Sequence, residues 1–208
     1  MMAELTNVIR VFISSKQREF VEERQGMTEI VRRLPLLAAD AAEEWAPGRD
    51  SIEATFLARV RAAPIYVGLF GRVYSSATAR EYETAVENPH REVLTYVKRC
   101  DQVEAPLEEL IQRFDNPREG HTVKRFDTWA DLKPAFEQHL WSAVHRMIES
   151  YLALAAPAPV ARGSGVTARR WQHEREHLLA LGLPGADDAA QARTWADTLR
   201  RMYPAAPS

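Results

Sequence analysis

A single cysteine, Cys100, stands in these 208 residues. No intramolecular disulfide can form, so nothing marks the chain as a secreted, crosslinked domain. A catalytic thiol would need an activating histidine or cation that spacing alone does not place. Cys100 is therefore read as a surface or half-buried residue. The start, "MMAELTNVIR", lacks the basic and then apolar pattern of a signal peptide. No apolar run approaches the roughly 20 residues of a membrane span. A large excess of charge of either sign is missing too. The net charge is −2, which argues against a surface built for nucleic acid. The expected location is the cytoplasm, with neither membrane nor nucleic acid as partner. Glycine is scarce, and neither G-x-G-x-x-G nor G-x-x-x-x-G-K-[ST] occurs. The Rossmann fingerprint and the P-loop are both excluded.

What is present is a soluble composition, 46% hydrophobic and 27% charged, enough for a real core. "VIRVFISSKQREFVEER" opens it. Residues 9–14 read as a strand, with Val11, Phe12 and Ile13 apolar in sequence, as expected of a strand buried on both faces. Phe20, Met27, Ile30, Val31 and Leu34 then lie along one helical stripe, and Pro35 ends it. "LLAAD" reads as a weaker strand and residues 51–63 as a second helix. "PIYVGLFG" is the strongest strand of the chain. Residues 72–80 read as a loop, and "EYETAVE" as the start of a third helix. "EVLTYVKR" and "HTVKRF" are further strands, "PLEELIQRF" a helix, and residues 128–156 a long helix. The charge runs "EERQ" and "EYE" read as ordinary helix faces.

Alternation of strand and helix calls for a parallel sheet with helices on both faces. Ligands of such sheets bind outside the carboxyl ends of the strands. The loops that matter are then 14–18, 71–80 and 98–105. "APAPVARGSG" changes character and reads as a linker. Two amphipathic helices follow, 167–183 and 187–203. They are too small to form a core alone. They are expected to pack on the body, on a second copy or on a partner.

Three motifs carry candidate chemistry. At Ser14 and Ser15, a strand turns into a helix whose free N–H groups, with Lys16 and Arg18, suit a phosphate or carboxylate. The plainer reading is that one serine caps the helix. In "GRVYSSATAREYETAV", Gly71 allows close approach of a ligand to the backbone. Arg72, Tyr74, Ser75 and Ser76 fall at the mouth of the sheet. Glu81 at the next helix start could hold ribose hydroxyls or act on a glycosidic carbon. The plainer reading of Glu81 is an acidic first turn facing the helix dipole. "HEREH", residues 173–177, matches the zinc-protease pattern. No Glu or His follows it, so a third ligand of the usual kind is missing and no metal is assigned.

The stretches "VFISSKQREFVEER" and "APIYVGLFGRVYSSATAREYETA" resemble, in order and at a plausible separation, the family catalogued as domain of unknown function 4062. The resemblance covers about residues 8–150. It rests on Ser14, Ser15, Glu19, Glu23 and Arg24, then on Gly71, Tyr74, Glu81, Tyr82 and Ala85. Lys16 stands where that family usually has threonine, Pro64 where an acid often precedes the strand, and Ser75 where glycine follows the tyrosine. The family is similar to Toll/interleukin-receptor domains and nucleoside deoxyribosyltransferases. That similarity implies a flavodoxin-like three-layer α/β sandwich with a mostly parallel sheet of five strands. It also implies N-glycosidic chemistry at Glu81, four residues before Ala85, on NAD or a nucleoside. Tyr74 would stack on the base, and Ser14, Ser15 and Arg18 would hold phosphate or ribose.

The expected organisation is an α/β domain over residues 1–156, a linker over 157–167 and a helical hairpin over 168–208. The expected function is a signalling or defence module. Its ligand, a nucleotide or NAD-like molecule rather than a bound cofactor, would sit in the crevice of Ser14, Ser15, Arg18, Gly71, Arg72, Tyr74 and Ser75, with Glu81 acting on it. The alternative is a non-catalytic domain of the same fold that assembles with itself or another protein, through the C-terminal helices.

Overall fold

The computed structural model describes residues 9–40, 52–116, 123–155, 165–183 and 188–203. In chain order the elements are β1 (Ile9–Ser15), a 3-10 turn (Gln17–Glu19), α1 (Val21–Arg33), β2 (Leu37–Asp40), α2 (Ile52–Ala62) and β3 (Ile65–Phe70). They continue as α3 (Ser76–Val86), β4 (Glu92–Lys98), α4 (Ala105–Phe114), β5 (Val123–Phe126), α5 (Trp129–Ala155), α6 (Gly165–Ala180) and α7 (Ala189–Met202). Two compact units result, Met1–His139 and Leu140–Ser208. Most of the expected linker lies outside the described residues.

The first unit holds a five-stranded sheet in the order β2-β1-β3-β4-β5. Every pairing is parallel. This is the flavodoxin-like arrangement, with its switch point between β1 and β3. The reason lies in the strands. β3 is buried at all six positions, and β1 from Val11 to Ser14, as strands covered on both faces must be. Register then decides which side chains share a face. Phe12 aligns with Tyr66 and Ser14 with Gly68. Phe12, Tyr66, Phe70 and Val97 pack with Val60 of α2, Ala79, Tyr82 and Ala85 of α3, and Leu107, Leu110, Ile111 and Phe114 of α4. The opposite face carries α1 and the start of α5. A Cβ on Gly26 of α1 would collide with the Trp129 ring, and Phe136 stands edge-on to Tyr96, centroids 6.0 Å apart.

Two helix starts differ from expectation. α3 begins at Ser76, not at Glu81, and Ser75 caps it by accepting a hydrogen bond from the Thr78 N–H at 3.3 Å. "SATAR" contains no glycine or proline, so nothing stops the helix from reaching back to the serine. Glu81 therefore sits inside the helix and is not part of an acidic first turn. α1 begins at Val21, after the 3-10 turn, with Phe20 at its N-cap and no side-chain cap. The Ser14 and Ser15 hydroxyls bond elsewhere, so neither serine is the expected helix cap.

At the amino edge of the sheet, Arg91 gathers backbone carbonyls. Its guanidinium donates to Ala63 O (2.7 Å), Arg61 O (2.9 Å), Ala85 O (2.9 Å) and Thr84 O (3.3 Å). Helix ends leave carbonyls unsatisfied and carry partial negative charge. One buried cation thus closes the C-terminal ends of both α2 and α3.

In the second unit, α7 and the latter half of α5 meet through rings. Trp141 stands edge-on to Tyr203 at 5.1 Å, and Tyr151 stacks on Trp195 at 6.5 Å. Leu178 of α6 and Ala192, Ala196 and Leu199 of α7 are fully buried. Gly182, two residues beyond α6, has a φ of 63°, which suits the left-handed turn that closes many helices. The Leu183 N–H returns to Leu178 O at 3.0 Å. Asp188 caps α7 through the Ala190 and Gln191 N–H groups. Among the described residues, no helix is long and apolar enough to cross a membrane.

Candidate functional site

The carboxyl ends of β1 and β3, with the first half of α3, form the centre of the site. Ser14 points to the α3 face beside Gly68, which has no side chain. A Cβ there would press on the Phe70 and Tyr66 rings. From α3 the Glu81 carboxylate reaches back, and the Ser14 hydroxyl donates to its Oε2 at 2.5 Å. Both residues are buried, Ser14 with 2% and Glu81 with 4% of its surface exposed.

Burial pushes the Glu81 carboxyl up to about 7, although the Ser14 hydroxyl and the Arg24 guanidinium both favour the charged form. Desolvation penalises the ion, while a hydrogen bond or a nearby cation stabilises it. Here desolvation wins. The Tyr66 hydroxyl lies beneath, fully buried and without a hydrogen bond of ordinary geometry. Burial and the Glu81 charge raise its pKa well above the usual phenol range, and the neighbouring Ser14 hydroxyl opposes this.

Arg24 supports the β1 end from α1. Its Nη1 donates to Ile13 O at 2.9 Å and to the Ser15 hydroxyl at 3.1 Å. The adjacent Glu23 is also buried and accepts from Lys98 Nζ of β4 at 2.7 Å. "EERQ" is therefore not an ordinary helix face. Its central Glu-Arg pair ties the start of α1 to two strand ends.

A cleft of about 380 Å3 opens over this cluster, lined by Ser14, Ser15, Lys16, Arg18, Arg24, Phe56, Ser75, Thr78 and Glu81, among others. Five of the eight sequence-derived site residues fall here: Ser14, Ser15, Arg18, Ser75 and Glu81. Arg72 lines a second, larger cleft of about 690 Å3, with Lys16, Arg18, Glu19, Lys98 and Cys100. Gly71 lies beneath the strand ends, where a Cβ would strike the Glu19 carboxylate and the Phe20 ring. Its requirement for glycine comes from the protein's own packing. Glu19 accepts from the Arg72 N–H at 2.5 Å and the Val73 N–H at 3.3 Å. Tyr74 is partly buried against the core cluster, and its N–H donates to Glu104 at 2.8 Å.

Residues that the sequence reading passed over as site residues include Arg24, Tyr66 and Phe56. Arg24 stood within the quoted "EER". Tyr66 and Phe56 looked like plain core positions in a strand and a helix, and only register and helix phase bring them to the site. Cys100 carries a free thiol whose pKa is raised, first by burial and then by Glu19, which lowers its thiolate fraction. "HEREH" lies in α6. Among the described residues no three His, Cys, Asp or Glu side chains gather as a metal site would need.

The family described as "Domain of unknown function (DUF4062)" matches residues 10–141, which is more than half of the chain. No curated protein matches it. The chain belongs to the DUF4062 family.

Proposed function

We propose that this DUF4062 domain binds a nucleotide or NAD-like molecule at the carboxyl edge of its sheet and cleaves the N-glycosidic bond with Glu81. One observation carries the reading. A buried carboxylate, poised near neutral pH and hydrogen-bonded to Ser14, faces an open cleft at the β1/β3 switch point. A structural carboxylate of this burial is normally paired with a cation. Among the described residues Glu81 has the Ser14 hydroxyl as its one hydrogen-bond partner, and the Arg24 guanidinium acts on it through charge without a hydrogen bond.

The chemistry follows from placement. As the bond between ribose C1′ and the base nitrogen breaks, its electron pair leaves with the base. Positive charge then develops at C1′, and an ionised Glu81 stabilises it at close range. A water molecule forms the new C1′–O bond, and its proton goes to the departing base or to solvent. Ser14 holds the carboxylate in place. Arg24 acts through Glu81 and the β1 backbone, as a positioning residue.

In the cell this reaction would serve signalling or defence, by consuming or reporting a nucleotide. The test is incubation of the wild-type chain and the E81Q variant with NAD and a panel of nucleosides and nucleotides, followed by chromatography for released base. Release by the wild type with loss in the variant is the expected result. No release and no ligand-induced rise in melting temperature would leave the protein-interaction role in its place.

A further inference from the structure

Three cavities of different character adjoin one another at this edge, and Glu81 lines two of them. The first, about 360 Å3, is lined by Phe56, Leu57 and Ala77, together with Glu81 and the mutually paired Glu53 and Arg80. The second is the Ser14–Glu81 cleft, which shares Phe56, Ala77 and Glu81 with the first. The third, about 690 Å3, shares Lys16 and Arg18 with the second. Each volume is of the order that takes a small ligand or a part of one.

The third cavity is where unpaired cations collect. Lys98 there is held by Glu23, and the Glu19 carboxylate is held by two backbone N–H groups. Lys16, Arg18 and Arg72 form no ion pair or side-chain hydrogen bond among the described residues. The remaining acid of the lining is Asp101. Cations that face a cleft without partners attract a multiply charged anion, and two arginines can each chelate its oxygens in pairs.

We infer that the ligand of this edge is a nucleoside 5′-diphosphate or a diphosphate-linked dinucleotide, rather than a free nucleoside. The inference rests on the N-glycosidic reading above for its middle part. The covalent order of such a ligand is base, ribose C1′, ribose C5′, then diphosphate. A carboxylate acting at C1′ must have the base on one side and the phosphates on the other. The cavities follow that order. The aromatic and aliphatic pocket of Phe56 and Leu57 takes the base, and Glu81 meets the ribose. Lys16, Arg18 and Arg72 take the diphosphate. Lys16, which departs from the usual threonine of the family, adds a cation where the phosphates would lie.

The test is calorimetric titration of the full chain with ADP, adenosine and inorganic pyrophosphate. ADP is expected to bind at least about ten-fold more tightly than adenosine, a difference of about 1.4 kcal/mol. Pyrophosphate should displace ADP, and ADP affinity should fall as salt rises from about 0.05 to 0.25 M. The R18Q/R72Q variant should lose about ten-fold or more in ADP affinity and keep that for adenosine. Equal affinity for ADP and adenosine, or wild-type ADP affinity in that variant, would overturn the inference. So would displacement of ADP by a single-stranded oligonucleotide at lower concentration than by pyrophosphate. Should the double variant fail to fold, the salt and pyrophosphate arms on the wild type decide alone. If these binding results hold while the wild type releases no base, the catalytic reading falls and the diphosphate site stands.

Discussion

Ser14 on β1 and Glu81 on α3 lie 67 positions apart in the chain and are joined by a 2.5 Å hydrogen bond at the switch point of the sheet. The register that sets Ser14 beside Gly68, and the start of α3 at Ser76, together bring the hydroxyl and the carboxylate to the same spot. The pair has measurable consequences.

Removing the hydroxyl should make the carboxylate harder to ionise. Ser14→Ala deletes a donor that favours the charged form, so the Glu81 carboxyl should titrate above its wild-type value of about 7. Above that pH the variant should lose about 1–3 kcal/mol of stability, the cost of an unsatisfied buried acceptor. At pH 5, where the carboxyl is neutral, the loss should be smaller. Urea unfolding at both pH values, with NMR of the labelled Glu81 carboxyl, reads both effects. Equal losses at the two pH values would count against the pairing.

Glu81 should give the wild type a falling stability across the mildly acidic range. Its carboxyl is raised from 4.5 to about 7 on folding, so between those values the folded state binds the extra proton. Stability then decreases as pH rises from about 4.5 to about 7 and levels off above. E81Q removes this slope. It should match the wild type near pH 4.5 and exceed it by up to about 3 kcal/mol at pH 8. Denaturant midpoints measured across this range show whether the slope disappears. A gain in stability with loss of base release would mark Glu81 as a residue kept at a cost to the fold.

Base release itself should follow the same titration. Stabilising a cationic C1′ needs the ionised carboxylate, so the rate should rise through about pH 7 and level off above it. Ser14→Ala should move that rise to higher pH. A rate profile unchanged by the substitution would separate Ser14 from the reaction.

Arg91 should matter to the fold and not to the chemistry. Its four carbonyl bonds close α2 and α3 at the edge of the sheet opposite the site. Arg91→Ala should cost about 3 kcal/mol, each bond from a charged donor being worth about 1.5–3 kcal/mol and the losses overlapping. Arg91→Lys should not rescue it, because an ammonium cannot replace a planar fork that donates in several directions. Thermal melting of the three proteins tests this. Full rescue by lysine would show that only the charge counts.

The alternation of apolar strands with amphipathic helices was enough to give the class of fold, because a strand buried on both faces must be continuously apolar and a helix must show one stripe. Val11 to Ile13 and Ile65 to Phe70 say as much without coordinates. The loops at the carboxyl edge followed from topology alone, and Ser14, Ser15, Arg18, Ser75 and Glu81 do line one cleft there. Local sequence could not separate a helix cap from a partner across the sheet. Ser14 and Ser75 look alike in sequence. Ser75 caps α3, while Ser14 holds Glu81. Nor could it separate a solvated charge run from a buried pair, since Glu23 and Arg24 are ordinary helix residues until β1 and β4 lie against them. Local letters encode periodicity and therefore the elements. The burial that lifts the Glu81 carboxyl to about 7 comes from side chains of other elements, and only the packed structure brings them together.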